Sequence, residues 1–183
     1  MDVFEAIKNR RSIRRYKPDA IPDHVIREVM EAALLAPSWA NSQCWRFIVV
    51  KDAQMRYALA MTSPVNRGVQ AIKQAPAAIV ACAKLGVAGI KNGMASTDKG
   101  EYWFMFDVAL AMQNMVLRAW SLGLGTVYCG LFDTKKVAEL LKIPEDYSVV
   151  AMTPLGYPES DVEISPRKEM KEVVFSELFG KPL

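Results

Sequence analysis

A cluster of arginines near the start of the chain is the first group of residues that could bind a ligand. Residues 8–17 (KNRRSIRRYK) hold six basic residues and no acidic one, whereas the whole 183-residue chain has a formal net charge of only +3. Guanidinium groups bind phosphate bidentately, and a hydroxyl such as that of Ser12 can complete the shell around an anion. The segment is therefore a candidate phosphate site, and a solvated basic loop is the alternative interpretation.

A polar loop at residues 36–47 (APSWANSQCWRF) forms a second candidate binding segment. The hydroxyl and amide side chains in it belong to Ser38, Asn41, Ser42 and Gln43. Such groups either satisfy the backbone of their own loop or hydrogen-bond a flat heteroaromatic ring with many donors and acceptors. The spacing of the residues is compatible with both interpretations.

Glycines mark a third segment, residues 121–130 (SLGLGTVYCG). Their spacing differs from the dinucleotide-binding fingerprint, and the chain contains no phosphate-binding P-loop sequence. Gly123 and Gly125 are typical of a helix end followed by a tight entry into a strand. Gly130 lacks that explanation and predicts a place where the backbone approaches a ligand closely.

The histidine and cysteine content argues against several kinds of catalytic site. The single histidine, His24, falls in the first turn of a predicted helix, where we expect it to be exposed, so catalytic triads and zinc clusters are not expected. Cys44, Cys82 and Cys129 form no CxxC pair, and such sparse cysteines favour a reducing compartment. The start of the chain has no signal-peptide layout, and no apolar run reaches membrane-spanning length. We therefore expect a cytoplasmic protein with no metal and no membrane partner.

The elements that carry these segments do not alternate as regular βαβ units, which favours a single α+β domain over residues 1–183. The patterns predict a helix that is capped by Asp2 and has Phe4 and Ile7 on its inner face. They also predict helices at 22–36, 53–61, 101–122 and from Asp133 to Leu141, strands at 45–51, 76–84, 125–130 and 147–155, and a loop at 85–100.

The helix predicted at 101–122 is apolar around most of its circumference. A helix of that kind has to be buried on all sides. In a chain of this size it is either the central core element or a surface that packs on a partner subunit. Because obligate homodimer interfaces resemble a domain core, the pattern favours a homodimer.

Five segments in order resemble the nitroreductase family of flavin mononucleotide (FMN) oxidoreductases nearly from end to end. They are RRSIRRY, PSWANSQCWRF, QAPAAIVAC, SLGLGTVYCG, and the closing GYP with SPRK. The resemblance implies an α+β fold with a mixed sheet flanked by helices, in an intertwined homodimer. It further implies a long helix at the subunit interface, a C-terminal tail that reaches over the partner, and two FMN sites between the subunits.

The resemblance also implies which residues of the first segment contact FMN. Arg10, Arg11, Ser12 and Arg14 match the N-terminal flavin-binding segment of the family. Arg10 and Ser12 would hold the phosphate and ribityl end, and Arg14 would lie near the N1/O2 edge of the isoalloxazine ring.

Other FMN contacts are implied by the later motifs. The loop of the other subunit is matched by Pro37, Ser38 and Asn41, with Trp39 and Tyr128 beside the ring faces or packed at the dimer interface. A backbone amide at Cys129 or Gly130 would face flavin N5. Arg167 matches the second phosphate-binding arginine of the family, and Arg167 or Lys168 would supply that positive charge.

Three positions depart from the family pattern or leave it incomplete. Cys44 stands where the family usually has proline, which would loosen the loop before Trp45. Ser165 stands where some members carry a lysine. The contact to the middle edge of the ring falls to Asn66 or to Gln70.

The activity that the resemblance implies is a ping-pong transfer of electrons from NADH or NADPH to a nitroaromatic, a quinone or a similar small oxidant. The chemistry would reside at flavin N5, with no catalytic side chain, and Arg14 would stabilise the negative charge of the reduced flavin. The alternatives are a flavin-binding or storage protein without turnover, or a superfamily variant such as a dehalogenase, an enoate reductase or a flavin-fragmenting enzyme. A nucleic-acid partner is not expected, because the basic segment has no interleaved aromatic residues.

Overall fold

A four-stranded antiparallel sheet organises the chain, and the computed structural model describes residues 1–183. In chain order the strands are β1 (Trp45–Val50), β2 (Ala77–Lys84), β3 (Ile90–Lys91), β4 (Met94–Ala95), β5 (Gly125–Thr126) and β6 (Tyr147–Gly156). The main sheet has the order β1-β2-β6-β5, and β3 pairs with β4 in a separate small hairpin. The one parallel contact of the main sheet is an isolated bridge between Ser12 and Thr126. The mixed sheet that the family resemblance implies therefore depends on that bridge.

The chain forms seven α-helices. They are α1 (Val3–Asn9), α2 (Asp23–Leu34), α3 (Ala53–Ala60), α4 (Arg67–Ala71), α5 (Trp103–Ser121), α6 (Thr134–Leu141) and α7 (Met170–Val173). The helices predicted from periodicity are confirmed within two residues at each end. Side chains of Asp2 and Asp133 cap α1 and α6 as predicted, and His24 is exposed in the first turn of α2. Helices α4 and α7 were not predicted, because helices of five and four residues are too short to show a periodic pattern.

The central strand β2 is buried on both faces. Ala77, Ile79, Ala81 and Ala83 pack in a core with α2 and α5. The alternate residues Ala78, Val80 and Cys82 pack in a second core with α3, α4 and α6. Because successive side chains of a strand point to opposite faces, an unbroken apolar run predicts this sandwiched position.

Three sequence expectations about local structure differ from the structure. Phe4 and Ile7 do not lie on an inner face: they are 73% and 53% exposed, because α1 buries only Ala6. The strand expected at 125–130 ends at Thr126. The next amide, that of Val127, donates a hydrogen bond to the hydroxyl of Thr153 instead of to a strand carbonyl. The segment predicted as a loop at 85–100 contains the short hairpin of β3 and β4.

Helix α5 is buried on only one side by its own chain. Its buried residues form the face toward the sheet and α2, whereas Met105 and Phe106 on the outer side are exposed. A central core element would be enclosed on all sides by its own chain, and α5 is not. None of the helices combines the length and apolar character needed to cross a membrane.

Candidate functional site

The arginine segment is held beside β5 by a close backbone contact. The amide of Ile13 donates to the carbonyl of Thr126 at 2.9 Å, and the Ile13 side chain is buried. A Cβ on Gly125 would stand 2.5 Å from Ile13 Cγ1, so the contact requires glycine at that position. Because side chains alternate along an extended segment, burial of Ile13 turns Ser12 and Arg14 away from the core.

The guanidinium groups of this segment are not neutralised within the chain. Arg10, Arg11, Arg14 and Arg15 form no ion pair with a carboxylate, and the chain's one arginine ion pair joins Arg118 to Glu28. Arg11 donates only to the backbone carbonyls of Lys8 and Arg10, and Arg14 only to that of Ser12. Four cations within six residues are therefore available to an external anion.

The first and third predicted segments lie together in the structure. Burial raises the pKa of the Cys129 thiol to about 12, against an opposing effect of the nearby positive charge of Arg14. Burial likewise raises the pKa of Tyr128 to about 12, with Arg10 as the opposing charge. The electrostatic influence of both arginines on this loop, with the bond from Ile13 to Thr126, indicates that residues 10–14 lie close to residues 127–130.

Of the two amides expected to face a ligand, only one is free. The amide of Cys129 donates to the carbonyl of Met152 at 2.8 Å, so the assignment to Cys129 does not fit the structure. The amide of Gly130 has no partner. No heavy atom lies within 4 Å of the place that a Gly130 Cβ would occupy, which leaves space for a ligand to approach the backbone.

Asn66 and Gln70, the two candidates for the middle ring edge, both make hydrogen bonds within the chain. Asn66 Oδ1 caps α4 by accepting from the amides of Gly68 and Val69, and Asn66 Nδ2 donates to the carbonyl of Leu131 at 3.4 Å. The side-chain amide of Gln70 donates to two backbone carbonyls and accepts from Lys73. Both residues lie near the site, and the choice between them stays a prediction.

An open cleft of about 940 Å³ extends from the arginine segment to α4. Its charged lining consists of Arg14, Arg15, Arg67 and Glu159, and Gln70 also faces it. A cleft of this size accommodates a cofactor or a drug-sized ligand. Arg67 was not predicted from the sequence, because α4 is too short to show a periodic pattern and the capping role of Asn66 is visible only in the structure.

The polar loop at residues 38–43 satisfies much of its own hydrogen bonding. Ser38 Oγ accepts from the amide of Gln43, and Asn41 Oδ1 accepts from the Gln43 side chain. Ser42 Oγ donates to Asp107 on α5. The side-chain nitrogen of Asn41 makes no hydrogen bond, so the loop retains a donor for a ligand while stabilising its own conformation.

Within one chain, the polar loop and the arginine segment lie at opposite ends of α5. The amide of Trp39 bonds to Asp107, near the start of the helix, whereas Ile13 bonds to Thr126, just past the helix end at Ser121. The helix rise of 1.5 Å per residue separates Asp107 from Ser121 by about 21 Å. A single chain therefore does not bring the two predicted halves of the site together.

The remaining predicted residues are exposed or make their contacts elsewhere within the chain. Every residue from 159 to 174 is exposed, and Arg167 donates only to the carbonyls of Ser165 and Pro166. Lys168 and Pro37 are likewise exposed. The Trp39 ring packs edge-on against Trp103, with 5.1 Å between centroids. The Tyr128 hydroxyl donates to Gln113 at 3.0 Å.

Cys44 is bonded in place despite standing where a proline was expected. Its side chain is buried and donates to Asp107 at 3.8 Å, and its carbonyl accepts from the amide of Lys84 at 2.7 Å. Burial raises the pKa of this thiol to about 11. The cysteine thus adds a contact between the loop and α5.

Comparison with known proteins identifies the class to which this fold and site belong. The sequence profile of the nitroreductase family matches residues 7–157, and the chain belongs to that family. A Thermus thermophilus protein named NADH dehydrogenase is 30% identical over 198 residues, which cover 95% of each chain. The expected family and α+β fold are confirmed.

Two solved structures show the same fold over nearly the whole chain. A nitroreductase family protein from Clostridium novyi NT is 32% identical with a TM-score of 0.78, covering 100% of this chain and 97% of its own. The NADPH:FMN oxidoreductase from Vibrio harveyi, solved in complex with NAD⁺, is 28% identical with a TM-score of 0.84. That match covers 97% of this chain and 77% of the Vibrio protein.

Proposed function

We propose that this chain is an FMN-dependent oxidoreductase that passes electrons from NADH or NADPH to small oxidants such as nitroaromatics and quinones by a ping-pong mechanism. The observation that most supports it is the cluster of unpaired guanidinium groups at Arg10, Arg11, Arg14 and Arg15, beside the free amide of Gly130. Membership of the nitroreductase family and the names of relatives such as the Vibrio NADPH:FMN oxidoreductase support the same conclusion.

The residues of the site fit the chemistry of FMN. The phosphate requires cationic donors, which Arg10 and the hydroxyl of Ser12 supply at one end of the segment. The pyrimidine edge of the ring requires a positive group that favours its charged form, which Arg14 supplies at the other end. The amide of Gly130, with open space in front of it, is a donor for the ring edge between them. When bound, FMN supplies the centre that accepts an electron pair from the nicotinamide and passes it to the oxidant.

A homodimer completes this site in the proposal. The single chain exposes 11,210 Å², whereas a compact monomer of this mass exposes about 8,800 Å². The excess of about 2,400 Å² fits a chain whose apolar α5 face and C-terminal tail are made to pack on a second copy. An antiparallel arrangement of two α5 helices would bring the loop with Ser38 and Asn41 of one subunit to the arginine segment of the other. Arg167 and Lys168 on the exposed tail would then reach the phosphate.

The compartment also remains a proposal. All three cysteines are unpaired and buried, which is compatible with the reducing cytoplasm in which NADH and NADPH are held.

A direct test is to purify the chain and identify any bound flavin. We expect a yellow protein that releases FMN, and not FAD, on heating, as measured by chromatography of the supernatant. Steady-state assays with NADH or NADPH and a panel of nitroaromatics and quinones should give parallel double-reciprocal lines. Bound FMN without turnover of any pair would favour the flavin-binding alternative, and a colourless protein that does not take up added FMN would contradict the proposal.

A further inference from the structure

Asp107 is a buried carboxylate among the apolar residues of the inner face of α5. It is 1% exposed and is the only acidic residue of α5. Carboxylates are almost never fully buried unless they are paired. No cation pairs with Asp107, so its hydrogen bonds must explain why it is tolerated there.

Three of the hydrogen-bond donors to Asp107 come from one stretch of the polar loop, and the Trp103 side chain on α5 is a further donor. The amide of Trp39 lies 3.1 Å from both carboxylate oxygens, Ser42 Oγ lies 3.3 Å from Oδ2, and Cys44 Sγ lies 3.8 Å from Oδ2. Burial raises the pKa of Asp107, and these hydrogen bonds oppose the shift. One carboxylate therefore attaches both ends of the turn at Trp39–Asn41 to α5.

The segment between these attachments has an unfavourable backbone conformation. Ala40, Asn41 and Gln43 have φ angles of 43°, 55° and 44°, in the left-handed region that favours glycine. Residues other than glycine stay in this region only when their surroundings hold them there. Two side chains outside residues 38–44 hydrogen-bond to this segment. The carboxylate of Asp107 accepts from Trp39, Ser42 and Cys44, and Arg46 in β1 donates only to the carbonyl of Gln43, at 3.0 Å.

We propose that Asp107 is the positioning residue for the FMN-binding loop: it holds Ser38 and Asn41 in the conformation in which they contact FMN in the site shared with the partner subunit. This inference rests on the proposed function. The anchor lies on the same helix whose outer face would pack on the second copy. The position of the loop is thus defined relative to the interface itself, and nothing in the arginine segment is required to hold it.

Three purified, FMN-loaded proteins test the proposal: wild type, Asp107→Asn and Asp107→Val. Asparagine keeps an acceptor for the Trp39 amide, and Ser42 can rotate to accept from its side-chain nitrogen. Valine removes every acceptor. We expect the FMN dissociation constant, measured by the recovery of flavin fluorescence on dilution, to stay within about threefold of wild type for asparagine and to rise at least about tenfold for valine. The visible absorption spectrum of the remaining bound flavin should shift only in the valine variant.

A matched control separates positioning from loss of stability. Val137 is buried on α6 in the other core, so Val137→Ala destabilises the fold without a contact to the loop. Equal weakening of FMN binding in Val137→Ala and Asp107→Val, at a similar free energy of unfolding, would overturn the proposal. Unchanged FMN affinity in Asp107→Val, or a loss in Asp107→Asn as large as in the valine variant, would also overturn it.

Hydrogen exchange gives a readout that does not depend on FMN. The Trp39 amide and the peptide covering residues 37–43 should exchange faster in Asp107→Val than in wild type, while peptides of β2 stay unchanged. If valine prevents folding, Ser42→Ala removes one of the donors and should produce a smaller change in the same direction in both measurements; no change would count against the proposal. Suppose that the wild type binds no FMN, yet the loop exchanges faster in Asp107→Val than in wild type. That result would contradict the proposed function, whereas the role of Asp107 in positioning the loop would stand.

Discussion

Ile13 occupies the space that a side chain on Gly125 would need. A Cβ on Gly125 would lie 2.5 Å from Ile13 Cγ1 and 2.7 Å from Ile13 Cβ, and the Ile13 amide is bonded to the next residue, Thr126. This close approach holds the arginine segment against β5. The position of Arg14 therefore depends on the absence of a side chain at Gly125.

Gly125→Ala should weaken both the fold and the binding of FMN. The added methyl group forces Ile13 and the backbone beside it to move, and such overpacking typically costs about 1–3 kcal/mol. Urea unfolding should show that loss of stability, and fluorescence titration should show weaker FMN binding. Wild-type values in both measurements would mean that the contact between Ile13 and Gly125 does not position the segment.

Gly130→Ala provides the contrasting case. No heavy atom lies within 4 Å of its hypothetical Cβ, so we expect the free energy of unfolding to change by less than about 0.5 kcal/mol. The methyl group would nevertheless stand in front of the free amide that is proposed to face the flavin ring. FMN affinity should fall while stability does not. Unchanged FMN affinity would remove Gly130 from the site.

Arg14→Ala should reduce FMN retention and the rate at which NAD(P)H reduces the bound flavin. A hydrogen bond to a charged group contributes about 1.5–3 kcal/mol, equivalent to about 10- to 150-fold in affinity or rate. Stopped-flow absorbance at the flavin band gives the rate, and Arg27→Ala on the exposed surface of α2 is the matched loss of one arginine. Equal behaviour of the two variants would exclude the assigned role of Arg14.

Subunit complementation tests whether the two halves of the site come from different chains. Arg14→Ala and Asn41→Ala homodimers should each bind FMN weakly at both sites. In a heterodimer of these two variants, one site combines both defects and the other is intact, so half of the wild-type FMN content should return. Co-purification with two different affinity tags isolates this heterodimer. Recovery of no tight site would indicate that both halves belong to the same chain.

Phe106→Asp should dissociate the proposed dimer. The Phe106 side chain is 58% exposed on the outer face of α5, and a carboxylate there would be buried without a partner in an α5 interface. Tyr57 on α3 is equally exposed at 57% and lies outside that face, so Tyr57→Asp is the control. Sedimentation velocity should detect monomers and loss of FMN for the first variant only. A dimer that persists in Phe106→Asp would place the interface elsewhere.

Stability should decrease above pH 9 because the cysteines are buried. Burial raises the pKa of Cys44 and Cys82 from 9.0 to about 11, and that of Cys129 to about 12. Between pH 9 and 11 the unfolded chain loses thiol protons that the native chain retains. The free energy of unfolding then falls as pH rises, by up to about 1.4 kcal/mol per pH unit for each thiol.

The variant Cys82→Ala isolates one thiol of this effect. Its free energy of unfolding, measured by urea titration from pH 8 to 11, should fall less steeply with pH than that of wild type. A slope equal to that of wild type would show that the alkaline loss of stability comes from other groups.

Sequence patterns predicted those structural features that depend on residues close together in the chain. Asp2 and Asp133 cap helices through amides three residues away, and the apolar run at 76–84 predicted the strand that the structure has at Ala77–Lys84. The resemblance carried by RRSIRRY and SLGLGTVYCG also identified two segments that lie together in the structure. Short-range hydrogen bonds and side-chain periodicity depend on neighbours in the chain, so the sequence alone contains this information.

Other features depend on contacts between residues far apart in the chain, and only the tertiary structure decided them. The Cys129 amide is taken by Met152, which left Gly130 as the free donor. Asp107 is the one acidic residue of α5, and its local sequence gives no sign that it bonds to a loop more than sixty residues earlier. The apolar sequence of helix α5 predicted burial on all sides, whereas its outer face is exposed in the single chain. An apolar side chain is stabilised by burial against any apolar surface. Which surface buries it is determined by the packing of the whole chain.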